Sequence, residues 1–144
     1  MKSFLQLNRL VVFFISVGLF VLSFEIYLQH FDLLPQKKIM WTPIVFGLLG
    51  GTAGLLIAFV FNKISYYLFF VLMIVSICVG MLGLCLHNRW RLPALCDFLF
   101  YGRLFDFNIL TTYTPLLAPS AFIAIGGLGI LVALFQAWGE RDKK

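Results

Sequence analysis

Long apolar runs separated by short polar segments dominate the hydrophobic pattern of this chain. A helix needs about 20 such residues to cross a bilayer, and four runs have about this length. The runs are continuously apolar rather than alternating, which favours helices over the strands of a barrel. The pattern predicts a single all-α membrane domain over residues 1–144, a bundle of four transmembrane helices. The predicted spans are Leu10–Phe31, Pro43–Phe61, Tyr66–Leu86 and Pro115–Trp138.

The connections between the spans differ in length and composition. Only Asn62-Lys63-Ile64-Ser65 separates the second span from the third, which predicts a tight antiparallel hairpin. The third and fourth spans are separated by 87–114, a long segment rich in apolar and aromatic residues. Within it, Pro93 suits a first helical turn and Gly102 a helix end. We therefore predict a short helix over Leu92–Leu104, lying in the membrane interface between helices 3 and 4.

Composition and charge agree with a membrane protein. The chain is 62% hydrophobic and 12% charged, with a mean hydropathy of +1.00, and no soluble core of 144 residues can bury so much apolar surface. The net charge of +5 is spread over loops and termini, so nucleic-acid binding is not supported. Lys2 and Arg9 before the first run imitate a signal peptide, but no small-x-small cleavage site follows. We interpret this run as an uncleaved first helix.

The basic residues predict an orientation by a narrow margin. With the N-terminus inside, six lie on the cytoplasmic side and five on the outer side. We predict that both termini are cytoplasmic, because basic residues before the first helix often dominate the positive-inside rule. The cytoplasmic set is Lys2, Arg9, Lys63, Arg141, Lys143 and Lys144, and the outer set is Lys37, Lys38, Arg89, Arg91 and Arg103.

Small residues recur at intervals of three and four along three of the spans. Such stripes let helix backbones approach closely, which is how membrane helices usually associate. Packing within the chain is the first explanation, and a homo-oligomer interface is the alternative. The stripes are Gly47, Gly51, Gly54 and Ala58, then Ser76, Gly80, Gly83 and His87, then Gly126, Gly129, Ala133 and Ala137.

A polar group gathers where the first and third spans end. His30 and His87 close spans that run in the same direction, so both lie at one membrane face, which the predicted orientation makes the outer one. Glu25, Gln29 and Asp32 form an adjacent stripe on the first helix. Imidazoles with nearby carboxylates suit a divalent metal ion, and two imidazoles can also ligate a haem iron. The alternative is structural, with both histidines capping helix ends.

Glu25 is singled out because an ionisable side chain within a span is costly and is a functional candidate by default. Five residues separate Glu25 from His30, about 140° around a helix, so Glu25 more naturally shares a site with Gln29. We predict that the two histidines approach each other, with Glu25 in a buried polar pocket below them. The metal or cofactor residues are then His30, His87 and Glu25, supported by Gln29, Asp32, Arg89 and Arg91.

Two further clusters allow more than one interpretation. Arg89 and Arg91 flank Trp90 and can bind a lipid phosphate or simply anchor the chain at the interface. Cys78, Met81 and Cys85 share a helical face that suits Cu(I), although packing is the favoured explanation. Cys96 completes a set of three cysteines without a C-x-x-C pair.

The order of these polar and proline positions resembles an uncharacterised family of small four-span bacterial inner-membrane proteins. The resemblance covers most of the chain and implies the fold and the bacterial inner membrane, but no activity. Its motifs are Glu25 and His30 closing helix one, Ile39-Met40-Trp41-Thr42-Pro43 opening helix two, His87-x-Arg89 closing helix three, and Asn108 with Pro115-Leu116-Leu117-Ala118-Pro119 opening helix four.

Three functions fit these features. The first is an accessory or small-molecule-binding subunit of a redox-linked membrane assembly, with a metal ion or haem at the outer face. The second is a small oligomeric proton-coupled transporter or channel that uses Glu25. The third is a membrane enzyme acting on lipid or quinone, for which the sequence contains no reaction motif and no assignable catalytic residue. The partners predicted are the bilayer, other membrane subunits or a second copy of the chain.

Overall fold

Four long helices make up most of the part of the chain that the structure describes. The computed structural model describes residues 2–60, 62–88, 93, 101–102 and 119–141. Each helix in this part of the chain is long and apolar enough to cross a membrane, which confirms the predicted all-α four-helix bundle and indicates a multi-pass membrane protein. The helices are α1 (Lys2–His30), α2 (Trp41–Val60), α3 (Lys63–Asn88) and α4 (Ser120–Arg141), with a 3-10 turn at Lys38–Met40 before α2.

Local sequence explains where the helices begin. Asn62 caps α3, since its Oδ1 accepts hydrogen bonds from the backbone N–H groups of Ile64 at 3.0 Å and Ser65 at 2.9 Å. α2 begins two residues before the predicted Pro43, which sits in the first turn where a missing N–H is tolerated. The fourth helix begins at Ser120, and residues 115–118 of the predicted fourth span lie outside the described residues.

The helices are arranged as two closely packed pairs. α1 packs along α2 and α3 packs along α4, while α1 with α4 and α2 with α3 make sparser contacts. α1 and α3 therefore lie on a diagonal of the bundle. The core between the pairs contains side chains that are at most 1% exposed, namely Val12, Leu19, Phe69, Met73 and Phe122.

Glycine explains the close approach of α2 to α1. A Cβ atom placed on Gly47 would lie 2.8 Å from the carbonyl oxygen of Leu19, and one on Gly51 would lie 3.0 Å from that of Ser16. The Ser23 hydroxyl donates a 2.7 Å hydrogen bond across the pair to the carbonyl oxygen of Ile44. The backbones of α1 and α2 thus approach each other closely at these glycines.

The same combination recurs between α3 and α4. A Cβ on Gly126 would lie 2.8 Å from the carbonyl oxygen of Met73, and one on Gly80 would lie 2.9 Å from the backbone nitrogen of Ile123. The Ser76 hydroxyl donates a 2.9 Å hydrogen bond to the carbonyl oxygen of Phe122. These contacts confirm that the glycine stripes serve packing within the chain.

A buried amide pair joins the two halves at one end of the bundle. The Nδ2 of Asn8 on α1 donates a 2.7 Å hydrogen bond to Oε1 of Gln136 on α4. The two residues are only 6% and 4% exposed. We call this the amide end, and we call the opposite end, where α1 and α3 finish, the histidine end.

Candidate functional site

The two histidines of the chain meet at the histidine end. Their ring centroids are 5.7 Å apart, and the ring planes are inclined by 69° in an edge-to-face contact. His30 is the last residue of α1, and His87 is the second-last residue of α3. The prediction that they lie at the same end and approach each other is confirmed. Because α1 and α3 are diagonal, the contact is made by side chains that reach across the bundle.

Helix stagger explains how diagonal helices bring these rings together. The Ser23–Ile44 hydrogen bond places the start of α2 level with Ile26, so His30 lies about 6 Å beyond it. On the other pair, a Cβ on Gly83 would contact Pro119, just before α4, and His87 again lies about 6 Å farther out. Both rings therefore lie on helix ends that project past the starts of α2 and α4.

The hydrogen bond of His30 determines its tautomer. Its Nδ1 lies 3.0 Å from the carbonyl oxygen of Ile26, one turn earlier. Since a carbonyl oxygen only accepts, Nδ1 carries the hydrogen, and in the neutral ring Nε2 keeps its lone pair. The Nδ1 atom of His87 is buried. The ring of His30 thus has one nitrogen committed to its own helix and one, Nε2, with a lone pair that can bind a metal ion.

Glu25 does not lie in a buried pocket, and that prediction is wrong. It is exposed, and its Oε1 accepts a 3.0 Å hydrogen bond from Nε2 of Gln29, the partner that the sequence indicated. Ser23 faces α2 and is 1% exposed, and a residue two positions later points about 200° away from it. Asp32, in the turn that follows α1, is exposed as well.

Glu25 also lies closer to the membrane surface than its place in the apolar run suggested. Ile26 is level with Trp41, where α2 begins, and tryptophan is typical of the interface between membrane and water. Glu25 is the neighbour of Ile26, so its carboxylate is within reach of that interface. The cost of a charge there is far smaller than at the bilayer centre.

Three other residues singled out in the sequence lie outside the described residues, namely Arg89, Arg91 and Cys96. For the predicted interfacial helix, Pro93 and Tyr101 are helical, and Gly102 follows with a φ of 63°, a value that suits a helix end. The intervening residues are not described, so that helix stays a prediction.

The cysteines of α3 face away from the core. Cys78 and Cys85 are free and exposed, and Met81 between them is 47% exposed. Seven residues along a helix correspond to about 10 Å, which is too far for both thiols to share one ion within a single chain. Among the described residues, no three histidine, cysteine or acidic side chains gather as a metal cluster.

Sequence reasoning missed the Asn8–Gln136 hydrogen bond. The available signal was an amide side chain near the end of each of two long apolar runs, a residue type that often hydrogen-bonds to a neighbouring helix in membranes. Pairing them also requires knowing that α1 lies beside α4, which the sequence does not state.

Comparisons of the chain with protein-family models, with curated proteins and with solved structures find no match. The class of this protein is therefore described from its fold and its site alone. It is an all-helical, multi-pass membrane protein of two glycine-packed helix pairs, with a histidine pair at one end. The resemblance to small four-span bacterial inner-membrane proteins stays a prediction.

Proposed function

We propose that this protein is a small accessory or binding subunit of a membrane assembly and that it holds a ligand at its histidine end. The observation that carries the proposal is the contact between the rings of His30 and His87, at 5.7 Å between centroids. A metal ion or a haem is the ligand that imidazole pairs bind, and either would give the subunit a role in a redox-linked assembly.

Helix capping accounts for only part of this arrangement. The hydrogen bond from His30 to Ile26 satisfies one ring nitrogen on the helix that carries it. It does not explain why the only other histidine of the chain comes from a diagonal helix to meet the same ring. Two imidazole rings brought together at the end of a helix bundle favour a ligand site.

The proposed setting is the bacterial inner membrane, with both termini in the cytoplasm and the histidine end at the outer face. Lys2 and Arg9 before the first span support this orientation. The bundle also leaves large apolar side chains exposed on all four helices, such as Phe14, Leu49, Leu68 and Leu131. This surface suits lipid and neighbouring membrane subunits.

Purified protein in detergent or nanodiscs tests the proposal through its absorption spectrum and its elemental analysis. We expect a bound ligand in the wild type that is lost in His30→Gln and His87→Gln. Gln36→Ala is the control, since it changes an exposed polar residue in the turn that follows α1 and lies outside the site. A wild type that neither carries nor takes up any ligand would contradict the proposal.

The position of Glu25 supports a second candidate, an oligomeric proton-coupled transporter or channel. Glu25 lies on the outward face of α1 among the exposed side chains of Val21, Phe24 and Leu28. In an oligomer formed through this face, the carboxylate would lie between subunits rather than in lipid. Proton flux into liposomes that Glu25→Gln abolishes and Gln36→Ala, at an exposed residue away from Glu25, preserves would favour this function over the first.

A further inference from the structure

We infer that His30 and His87 together bind one divalent transition-metal ion, of the type of Zn²⁺, Cu²⁺ or Ni²⁺, through their ring nitrogens. The inference rests on the proposed function and narrows its ligand from any cofactor to a single ion. Three features of the histidine end support a single ion: the separation of the rings, the hydrogen bond of His30 and the edge-to-face contact of the rings.

The ring separation fits a shared ion. Imidazole nitrogens bind zinc at about 2.0–2.1 Å, so two rings on one tetrahedral ion have their centres about 5.2 Å apart. The observed separation is 5.7 Å. The rings therefore lie within about 0.5 Å of the spacing that a shared ion requires.

The hydrogen bond of His30 to the backbone of α1 is of the kind that metal-binding histidines make. Such a histidine nearly always donates its second N–H to a carboxylate, a carbonyl or water, which fixes the tautomer and the ring orientation. Here Nδ1 donates to the carbonyl oxygen of Ile26 at 3.0 Å. Ile26 is itself packed against the bundle core, so the support is rigid. The nitrogen left for the ion is Nε2.

A haem fits this arrangement less well than an ion. Axial histidines bind the iron from opposite sides of the macrocycle, which then separates the two rings. In the protein the edge of one ring meets the face of the other directly, with an inclination of 69°. This direct contact leaves no space for a flat ring system between the two imidazoles.

The chemistry of the donors predicts which ions bind. Imidazole suits zinc, copper and nickel, whereas magnesium prefers oxygen ligands. The exposed carboxylate of Glu25 points away from the core, so it adds no oxygen ligand from within the chain. Two histidines leave further coordination positions for water or for a ligand from a partner.

Titration calorimetry of chelator-treated protein in nanodiscs tests the inference, with Zn²⁺ and Ni²⁺ as probes and Mg²⁺ as the negative control. We expect one Zn²⁺ per chain and no Mg²⁺ binding. His30→Gln and His87→Gln should each weaken Zn²⁺ binding about tenfold or more. The double variant should be little weaker than either single variant, because the first change already destroys the shared site. Gln36→Ala, an exposed residue of the turn after α1 that is not part of the site, should bind as the wild type does.

Circular dichroism and size-exclusion profiles of the variants separate lost ligation from lost folding. Folded variants with unchanged Zn²⁺ affinity, or a wild type that binds neither Zn²⁺ nor Ni²⁺, would overturn the inference. If the wild type instead carries a haem or another pigment that the histidine variants lose, the inference fails while the proposed function stands. If it binds no ligand of any kind, both fail.

Discussion

Single glycines decide how closely the helices of each pair approach. Gly126 faces α3 so closely that a Cβ atom would lie 2.7 Å from Cγ1 of Ile77 and 2.8 Å from the carbonyl oxygen of Met73. The adjacent Gly127 has no neighbouring atom within 4 Å of the same position. Two neighbouring residues of one type therefore have different roles, and only the first limits the distance between the helices.

Gly126→Ala should lower the free energy of unfolding by about 1–3 kcal/mol, because α4 must move away from α3 to admit the methyl group. Gly127→Ala is the matched control. It should leave stability unchanged or raise it by up to about 1 kcal/mol, since alanine is the better helix former. Unfolding in mixed detergent micelles, followed by circular dichroism, measures both. Equal effects at the two positions would contradict the assigned packing.

At the scale of helices, a buried hydrogen bond joins the two closely packed pairs to each other. The bond between Asn8 and Gln136 connects α1 with α4, which otherwise touch sparsely. Hydrogen bonds between membrane helices contribute about 0.6 kcal/mol on average and up to about 1.7 kcal/mol. This one is buried at both residues, so we expect it near the upper part of that range.

A double-mutant cycle of Asn8→Ala and Gln136→Ala should show a coupling of about 1–1.5 kcal/mol, with each single change losing nearly as much stability as the double change. Gln29→Ala removes an exposed amide from the same helix as Asn8 and should not couple to Gln136. Additive losses in the cycle would show that the two amides act independently.

At the scale of the whole molecule, the sequence predicts best that there are four spans and that successive spans run in opposite directions. Apolar runs of the right length specify the helices, and the alternating direction of the spans places both histidines at one end. The sequence does not predict how each helix is rotated about its own axis. Lipid is as apolar as the bundle core, so apolar character at every face of α1 does not reveal that Ser23 faces inward and Glu25 outward.

The four-span topology itself predicts that Lys37 and Lys63 lie on opposite sides of the membrane, since α2 runs between them. Lys37→Cys and Lys63→Cys, each in a variant without Cys78, Cys85 and Cys96, should react with an impermeant maleimide from opposite sides of oriented vesicles. With cytoplasmic termini, Lys63→Cys is the one labelled from the cytoplasmic side. Labelling of both from one side would contradict the four-span arrangement.

Because the helices form two pairs, the contact between the histidines also connects one pair to the other. His30 belongs to one pair and His87 to the other, as do Asn8 and Gln136 at the far end, about 33 Å away along α1. The more sparsely packed boundary between the pairs is thus bridged at both ends of the bundle, by an amide hydrogen bond at one end and by the contact of two imidazole rings at the other. An ion shared by the rings would therefore link the two helix pairs to each other as well as occupy a site.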